Sequence, residues 1–293
     1  MRVGVFDDMR RKLMLPSELS RVVSLVPSDT ETLFALGLGD RVVGRTRYCE
    51  EPAGEVDAIP TVGGTKDVDI EAVLALSPDL VLANQEENSR ANLEALAQAG
   101  AMVFVAFPKR FNDAIAHVAR LARMVGADRK DLSQELLRAG YKCLEKQPPS
   151  DTISVFVPIW RDPLMTFSQH TYSHELLRLA GAANVFATRE RKYPLKADLG
   201  LRSPLSADQV ALKDTRYPRI TEEELIKSAP ELILLPDEPY DFSEEDREYF
   251  ASLPIPAARN NNIHFTCGKD LFWPGSRSVF ALPRLTALIG QYR

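Results

Sequence analysis

Two adjacent glutamates, Glu86 and Glu87, flanked by Gln85 and Asn88, form a run of side chains that could do chemistry. Carboxylates in such a loop can act as general acids, chelate a cation, or accept hydrogen bonds from a polar ligand. His170 and His174 stand four apart, so on a helix they would share one face as a zinc pair does. Thr171 and Ser173 between them are helix-capping types and no third ligand is adjacent, which reads as a capping or surface role. Gly63-Gly64 is too short for a phosphate-cradling loop, and no G-x-S-x-G elbow, H-E-x-x-H helix or Walker lysine occurs. With no nucleophile–base pair in view, the expectation is a protein that is not an enzyme, with no catalytic residues, no metal ligands of its own and no required cofactor.

What remains is recognition chemistry. Both tryptophans, Trp160 and Trp273, lie in segments that follow apolar runs, as do Tyr240, Arg161, Arg277, Lys66, Glu86 and Glu238. Aromatic faces with a few charged groups suit a large planar or chelated ligand. For each aromatic, a packing role is the alternative.

The elements that must position these residues come from an internal repeat. Asp69 to Leu82 reads as a short helix, a Ser77-Pro78 turn and a strand, and Thr221 to Leu234 reads the same way 152 positions later (69 to 221). The loop after each strand carries a carboxylate at the same offset, Glu86 and Glu238. A second pair agrees. Val22 to Pro27 is a strand leading to a helix over Glu31 to Leu36 closed by Gly37, and Ile153 to Pro158 leads to a helix over Ser173 to Ala180 closed by Gly181. Each half then holds strand, helix, strand, helix, strand, with continuous apolar runs such as Met102 to Phe107 that suit parallel strands buried on both faces. The fold class expected is α/β: two Rossmann-like lobes with parallel sheets, residues 1–111 and 150–293. One larger Rossmann-like sheet is the alternative.

Between the lobes, residues 112–149 read as linking helices. Asn112 and Asp113 can cap the first and Asp128 the second, a backbone helix stopped by Pro148-Pro149. Twenty helical residues would span about 30 Å, enough to join two lobes and allow only small opening motions. In open parallel sheets ligands bind beyond the carboxyl ends of the strands, so two lobes would close those edges on one cleft.

Composition sets the outer limits. The 293 residues are 45% hydrophobic and 26% charged with a net charge of −5, ordinary for a globular chain and poor for nucleic acid, which is bound by neutralising phosphates. The short basic cluster Arg189, Arg191, Lys192 reads as a solvated loop. Cys49, Cys143 and Cys267 are odd in number and far apart, which reads as reduced thiols rather than a disulfide framework or zinc site. No segment reaches the roughly 18 apolar residues of a membrane span. Met1 to Phe6 runs straight into Asp7-Asp8 with no signal-type apolar stretch, so a cytoplasmic protein is expected, or a periplasmic one if the true start lies upstream. Monomer is the default for the architecture.

Several stretches resemble a known family. They are Arg21 to Ser28 with Thr30-Glu31, then Val62-Gly63-Gly64, Asp69-Ile70-Glu71 through Val81, Arg216-Tyr217-Pro218 with Glu223, and Gly275-Ser276-Arg277. In order and spacing they resemble the class III periplasmic binding proteins with a helical backbone, which bind cobalamin, haem or ferric siderophores for ABC importers. The opening Val3 to Pro16 resembles that family's leading β-hairpin, and the resemblance covers nearly the whole chain. It implies a solute-binding protein for a metal chelate, with an ABC transporter permease as partner. It implies docking glutamates at Glu71 and Glu223, the two that the repeat superimposes, and aromatics against a corrin at Tyr48 and Tyr217. Positions that carry tryptophans over the corrin in the cobalamin binder are Thr65 and Asn84 here, a departure, and the Glu86-Glu87-Asn88 loop is similar to a branch without an export signal. The ligand-binding set expected is Ser28, Tyr48, Thr65, Lys66, Glu86, Glu87, Trp160, Arg161, Tyr217, Glu238, Tyr240, Trp273 and Arg277. Two alternatives stay open: a cytoplasmic corrinoid or metal-chelate carrier that docks to no transporter, and an enzyme acting on such a ligand through Glu86 or Glu238.

Overall fold

Runs of Val, Leu and Ile bounded by Pro, Asp and Gly become strands that are buried on both faces, because crossover helices cover each side of a parallel sheet. The computed structural model describes residues 2–16 and 18–293. Met1, where the opening stretch begins, lies outside them. The chain divides into two units, Met1–Glu145 with Trp273–Val279, and Lys146–Phe272 with Phe280–Arg293.

The first unit opens with an antiparallel hairpin, β1 (Arg2–Phe6) and β2 (Lys12–Pro16). Its turn is closed by buried Asp7, which accepts from the Arg11 amide at 2.8 Å and the Arg11 guanidinium at 2.6 Å. Then come β3 (Val22–Ser24), α1 (Pro27–Ala35), β4 (Val42–Arg45), α2 (Ile70–Ala75), β5 (Leu80–Asn84), α3 (Arg90–Gln98) and β6 (Val103–Ala106). The four later strands form a parallel sheet in the order β4-β3-β5-β6. Its core packs Val23, Leu25, Val73, Val81, Leu96 and Val105, and burying each such side chain stabilises by about 1.5–3 kcal/mol.

Two helices follow, α4 (Phe111–Met124) and α5 (Asp131–Glu145). They pack closely where Gly140 meets Ile115, a contact in which an added Cβ would fall 2.6 Å from the Ile115 side chain. Asp113 does cap α4, but from inside the first turn: its carboxylate accepts from the amides of Arg110 and Lys109 at 3.0 and 3.1 Å. Asp128 precedes α5 by a turn instead of capping it.

The second unit repeats the plan. It contains β7 (Ile153–Phe156), α6 (Tyr172–Leu179), β8 (Ala182–Asn184), α7 (Leu195–Asp198), α8 (Ala207–Val210), α9 (Glu222–Ser228), β9 (Leu232–Pro236), α10 (Glu244–Ala251), α11 (Pro256–Arg259), β10 (Ile263–Thr266), α12 (Gly268–Phe272) and most of α13 (Ser278–Gly290). Its parallel sheet runs β8-β7-β9-β10, the same order as the first. The two-lobed α/β expectation holds. Each parallel sheet has four strands rather than three, because the short stretch after its first helix, β4 in one and β8 in the other, also joins it. Pro27 is not a strand end but the first residue of α1, where a missing amide hydrogen costs nothing.

Candidate functional site

The carboxyl edges of the two sheets carry most of the expected residues, unit by unit. In the first, the loop after β5 is laced to the loop after Gly63-Gly64. Asn84 donates its amide to Asn88 Oδ1 at 2.7 Å, and the Glu86 amide donates to Asn84 Oδ1 at 2.7 Å. Asn88 Nδ2 then donates to the carbonyls of Leu25 and Thr65, each at 3.1 Å. Lys66 Nζ donates to the Glu86 carbonyl at 2.7 Å, so Thr65, Lys66, Glu86 and Glu87 are brought to one place. Burial, against the pull of the Glu87 and Glu86 charges, holds the Lys66 ammonium below its ordinary pKa. The turn needs Gly63, whose φ of 92° and whose Cβ position 2.4 Å from the Asp67 carbonyl exclude a side chain.

Asn84 and Asn88 are the residues the sequence reading missed as organisers of this loop. Both are buried polar side chains. Two asparagines four apart around a glutamate pair, directly after a strand, were the available signal, since Asn side chains readily satisfy backbone groups in turns. Asn84, expected above as a departure from the family pattern, is a loop-shaping amide.

Beside this loop, Tyr48 is half exposed with the Arg47 guanidinium 5.2 Å from its ring centre. Ser28 is buried in the first turn of α1. The segment 273–279 brings Trp273 and Arg277 to the same unit. Arg277 holds Glu31 of α1 through a bidentate ion pair, Nε to Oε2 at 2.9 Å, and lies 5.4 Å from the Trp273 ring. Trp273 itself is buried. Gly275, at φ 139°, lets this segment approach α1, since a Cβ there would lie 2.5 Å from Thr32 Oγ1.

In the second unit, β7 and β9 are neighbours, and each is followed by an aromatic at the same step, Trp160 and Tyr240. Adjacent strands put these rings edge to face with centroids 5.4 Å apart, and Tyr240 continues onto buried Phe242 at 4.7 Å. Trp160 stays 44% exposed, and its indole donates to the Asp162 carbonyl at 3.1 Å. Tyr217 has the Arg216 guanidinium 5.3 Å from its ring. Glu238 packs on Gly268, where no Cβ would fit. Arg161 is committed elsewhere, pairing with Asp246 at 3.2 Å and lying 3.8 Å over the Tyr249 ring. Burial, with a hydrogen bond to Glu222, pushes the Tyr249 phenol up to about 12.

Glu71 and Glu223 are exposed in the first turns of α2 and α9. The two helices start alike: the Asp69 side chain accepts from the Ala72 amide, and the Thr221 side chain from the Glu224 amide. Carboxylates there complement the positive helix end. His170 and His174 flank the Thr171 cap of α6, whose hydroxyl accepts from the His174 amide at 3.3 Å. Among the described residues no three His, Cys, Asp or Glu side chains gather as a metal-ligand set, and no helix is long and apolar enough to cross a membrane. Cys49, Cys143 and Cys267 are in no disulfide, and burial raises the Cys49 pKa above its ordinary value.

Comparison with known proteins agrees with this architecture. A vitamin B12-binding protein of Yersinia pestis is 30% identical over 185 residues, 62% of this chain, and the match spans 66% of that protein's own length. The crystal structure of the periplasmic vitamin B12 binding protein BtuF of Vibrio cholerae superimposes with a TM-score of 0.71 at 20% identity, over 94% of this chain and 99% of that one. The Helicobacter pylori CeuE structure with Ni(II) bound gives 0.76 at 16% identity, over 99% and 89%. At these identities the structures speak for the fold. The profile described as "Periplasmic binding protein" matches residues 22–266, most of the chain, so this chain belongs to the periplasmic binding protein family.

Proposed function

We propose that the protein binds a metal chelate, a corrinoid or a ferric siderophore, at the loops beyond the carboxyl edges of its sheets and delivers it to an ABC-type importer. The observation that carries the ligand class is the half-exposed Trp160 standing edge-on to Tyr240 directly beyond β7 and β9. An aromatic wall that continues into the core is rigid, costs little side-chain entropy on binding, and offers area to a macrocycle or catecholate. Tyr48 and Tyr217, each beside an arginine, and the Lys66–Glu86–Glu87 loop supply the polar complement. A relative that binds vitamin B12 supports a corrinoid as the first candidate. The replacement of two tryptophan positions by Thr65 and Asn84 favours a ligand other than intact cobalamin. A second reading, a carrier in a reducing compartment that meets no transporter, is favoured by the three free cysteines.

The test is a titration of the purified protein with cobalamin, cobinamide, haem and ferric siderophores, following tryptophan fluorescence and visible absorbance. One of them is expected to quench saturably at micromolar concentration, with Trp160→Ala weakening binding at least tenfold. No saturable response to any of them, in protein shown to be folded, would remove the metal-chelate reading and leave the family membership.

A further inference from the structure

The short basic cluster that reads as a solvated loop is a loop, and Lys192 is exposed, but its two arginines are not simply solvated. Arg189 reaches inward and is held by two carboxylates, Asp198 at 3.0 Å and Glu224 at 2.8 Å. Asp198 is buried and fully engaged: Oδ1 also accepts from the Lys192 amide at 2.8 Å, and Oδ2 from the Arg219 amide at 2.7 Å. Asp214, the other carboxylate near Arg191, is bound by Arg216 through Nε at 2.9 Å and Nη2 at 2.6 Å. The acids of this region are therefore taken by Arg189, Arg216 and backbone amides.

Two guanidinium groups are left over. Arg191 Nε and Arg219 Nε and Nη1 are buried and have no hydrogen-bond partner. Arg191 lies 4.5 Å over the Tyr193 ring, and Lys213 adds a second cation 5.2 Å from the same ring. Burial first, and then the Arg191 charge, hold the Arg219 pKa below its ordinary value, with Asp198 opposing. A buried N–H without an acceptor is costly, and more so when it carries charge. Arg191 also lines a cavity of about 410 Å³ with Lys192, Tyr193, Thr188 and Thr215, in which the only acid is the exposed Glu190. The orphaned Arg191 donor stands in the cavity wall, and Arg219, outside that wall, adds its charge to Arg191.

We propose that Arg191, with the Arg219 charge behind it, forms an oxyanion site in the cavity of the loop between β8 and α9 in the second unit, and that this site takes a phosphate group. Guanidinium forks match the oxygens of a phosphate bidentately, which a point charge such as Lys does not. The group can arrive as free phosphate or on a small phosphate monoester; the cavity has room for either. The site is independent of the metal-chelate cargo.

The experiment is calorimetry and thermal unfolding of the full chain with inorganic phosphate, glycerol 3-phosphate, or glycerol, each against sodium chloride at equal ionic strength. One equivalent of phosphate or phosphate monoester is expected to bind and raise Tm saturably, whereas glycerol and chloride do not. A response to glycerol 3-phosphate alone would assign the monoester as the source, and an equal response to both would assign the phosphate group. Arg191→Gln and Arg219→Gln should each weaken binding at least tenfold, and Lys196→Gln, exposed in the same loop, should not. If either variant fails to fold, the wild-type stoichiometry decides. No binding beyond the chloride control, several weak equivalents instead of one, or unchanged binding in folded Arg219→Gln would overturn the proposal.

Discussion

Asp29 and His117 show how a single buried pair can tie a sheet-edge helix to the helices behind it. Asp29 lies in the first turn of α1 and His117 on α4, with Nε2 and Oδ1 2.7 Å apart and both side chains almost fully buried. Arg120 stands 3.2 Å from the other ring nitrogen, and a guanidinium only donates. Nδ1 must therefore accept, which places the proton on Nε2 and directs it at Asp29. Arg120 in turn holds Asp8, in the turn of the hairpin, at 2.6 Å. Burial works against Asp8, but the Arg120 and Phe107 hydrogen bonds hold its carboxyl below the usual range. Asp29 Oδ2 has no partner of its own, so His117→Phe strands a buried carboxylate. The expected cost is about 3–5 kcal/mol, read as a lower urea midpoint at unchanged m-value. Asp29→Leu with His117→Phe should recover most of it. A single variant as stable as wild type would show that the pair carries no stability.

At the scale of elements, the repeat extends beyond the helices and strands to their strained joints. Ser77 and Ala229 occupy equivalent places after α2 and α9, and both adopt the left-handed region, at φ 45° and 48°. Asp79 and Glu231, two residues on, both reach back to the residue that opens their sheet. Asp79 Oδ2 accepts from the Ser20 and Arg21 amides at 2.9 Å, and Glu231 Oε2 from the Ser154 amide at 3.0 Å. A left-handed non-glycine residue costs roughly 1–2 kcal/mol, of which glycine returns part as chain entropy. Ser77→Gly and Ala229→Gly are each expected to raise stability by about 0.5–1 kcal/mol, measured by urea unfolding. A loss of stability in both would mean the joint is held by its side chains rather than strained.

For the whole molecule, the symmetric placement of Glu71 and Glu223 is the feature with a consequence outside the chain. One lies in each unit, each exposed at the start of a short helix that follows a capping residue. Carboxylates so displayed suit a basic partner surface, where charge complementarity governs encounter and register. Under the proposed function, a Glu71→Arg, Glu223→Arg double variant should abolish cargo uptake by cells or importer-containing vesicles while binding the cargo as wild type does. Uptake that survives the double charge reversal would assign delivery to other residues, or favour the carrier that meets no transporter.

Repetition in the sequence, with apolar runs of strand length and Pro or Gly at fixed offsets, was enough to determine the two α/β units, their parallel sheets and the common place of Glu71 and Glu223, because those features depend on local pattern. Trp160 and Tyr240 were legible as loop aromatics, but only the pairing of β7 with β9 made them one wall. Other outcomes depended on contacts between residues far apart in the chain. Arg161 was drawn away to Asp246 and Tyr249, and Asn84 and Asn88 became the frame of the Glu86 loop. Arg189 found Asp198 and Glu224, while Arg191 found only the Tyr193 ring and kept an unpaired Nε, a difference invisible in a string of basic residues. Local propensity acts over a few positions, whereas the partner of a buried charge is chosen by the packing of the whole unit.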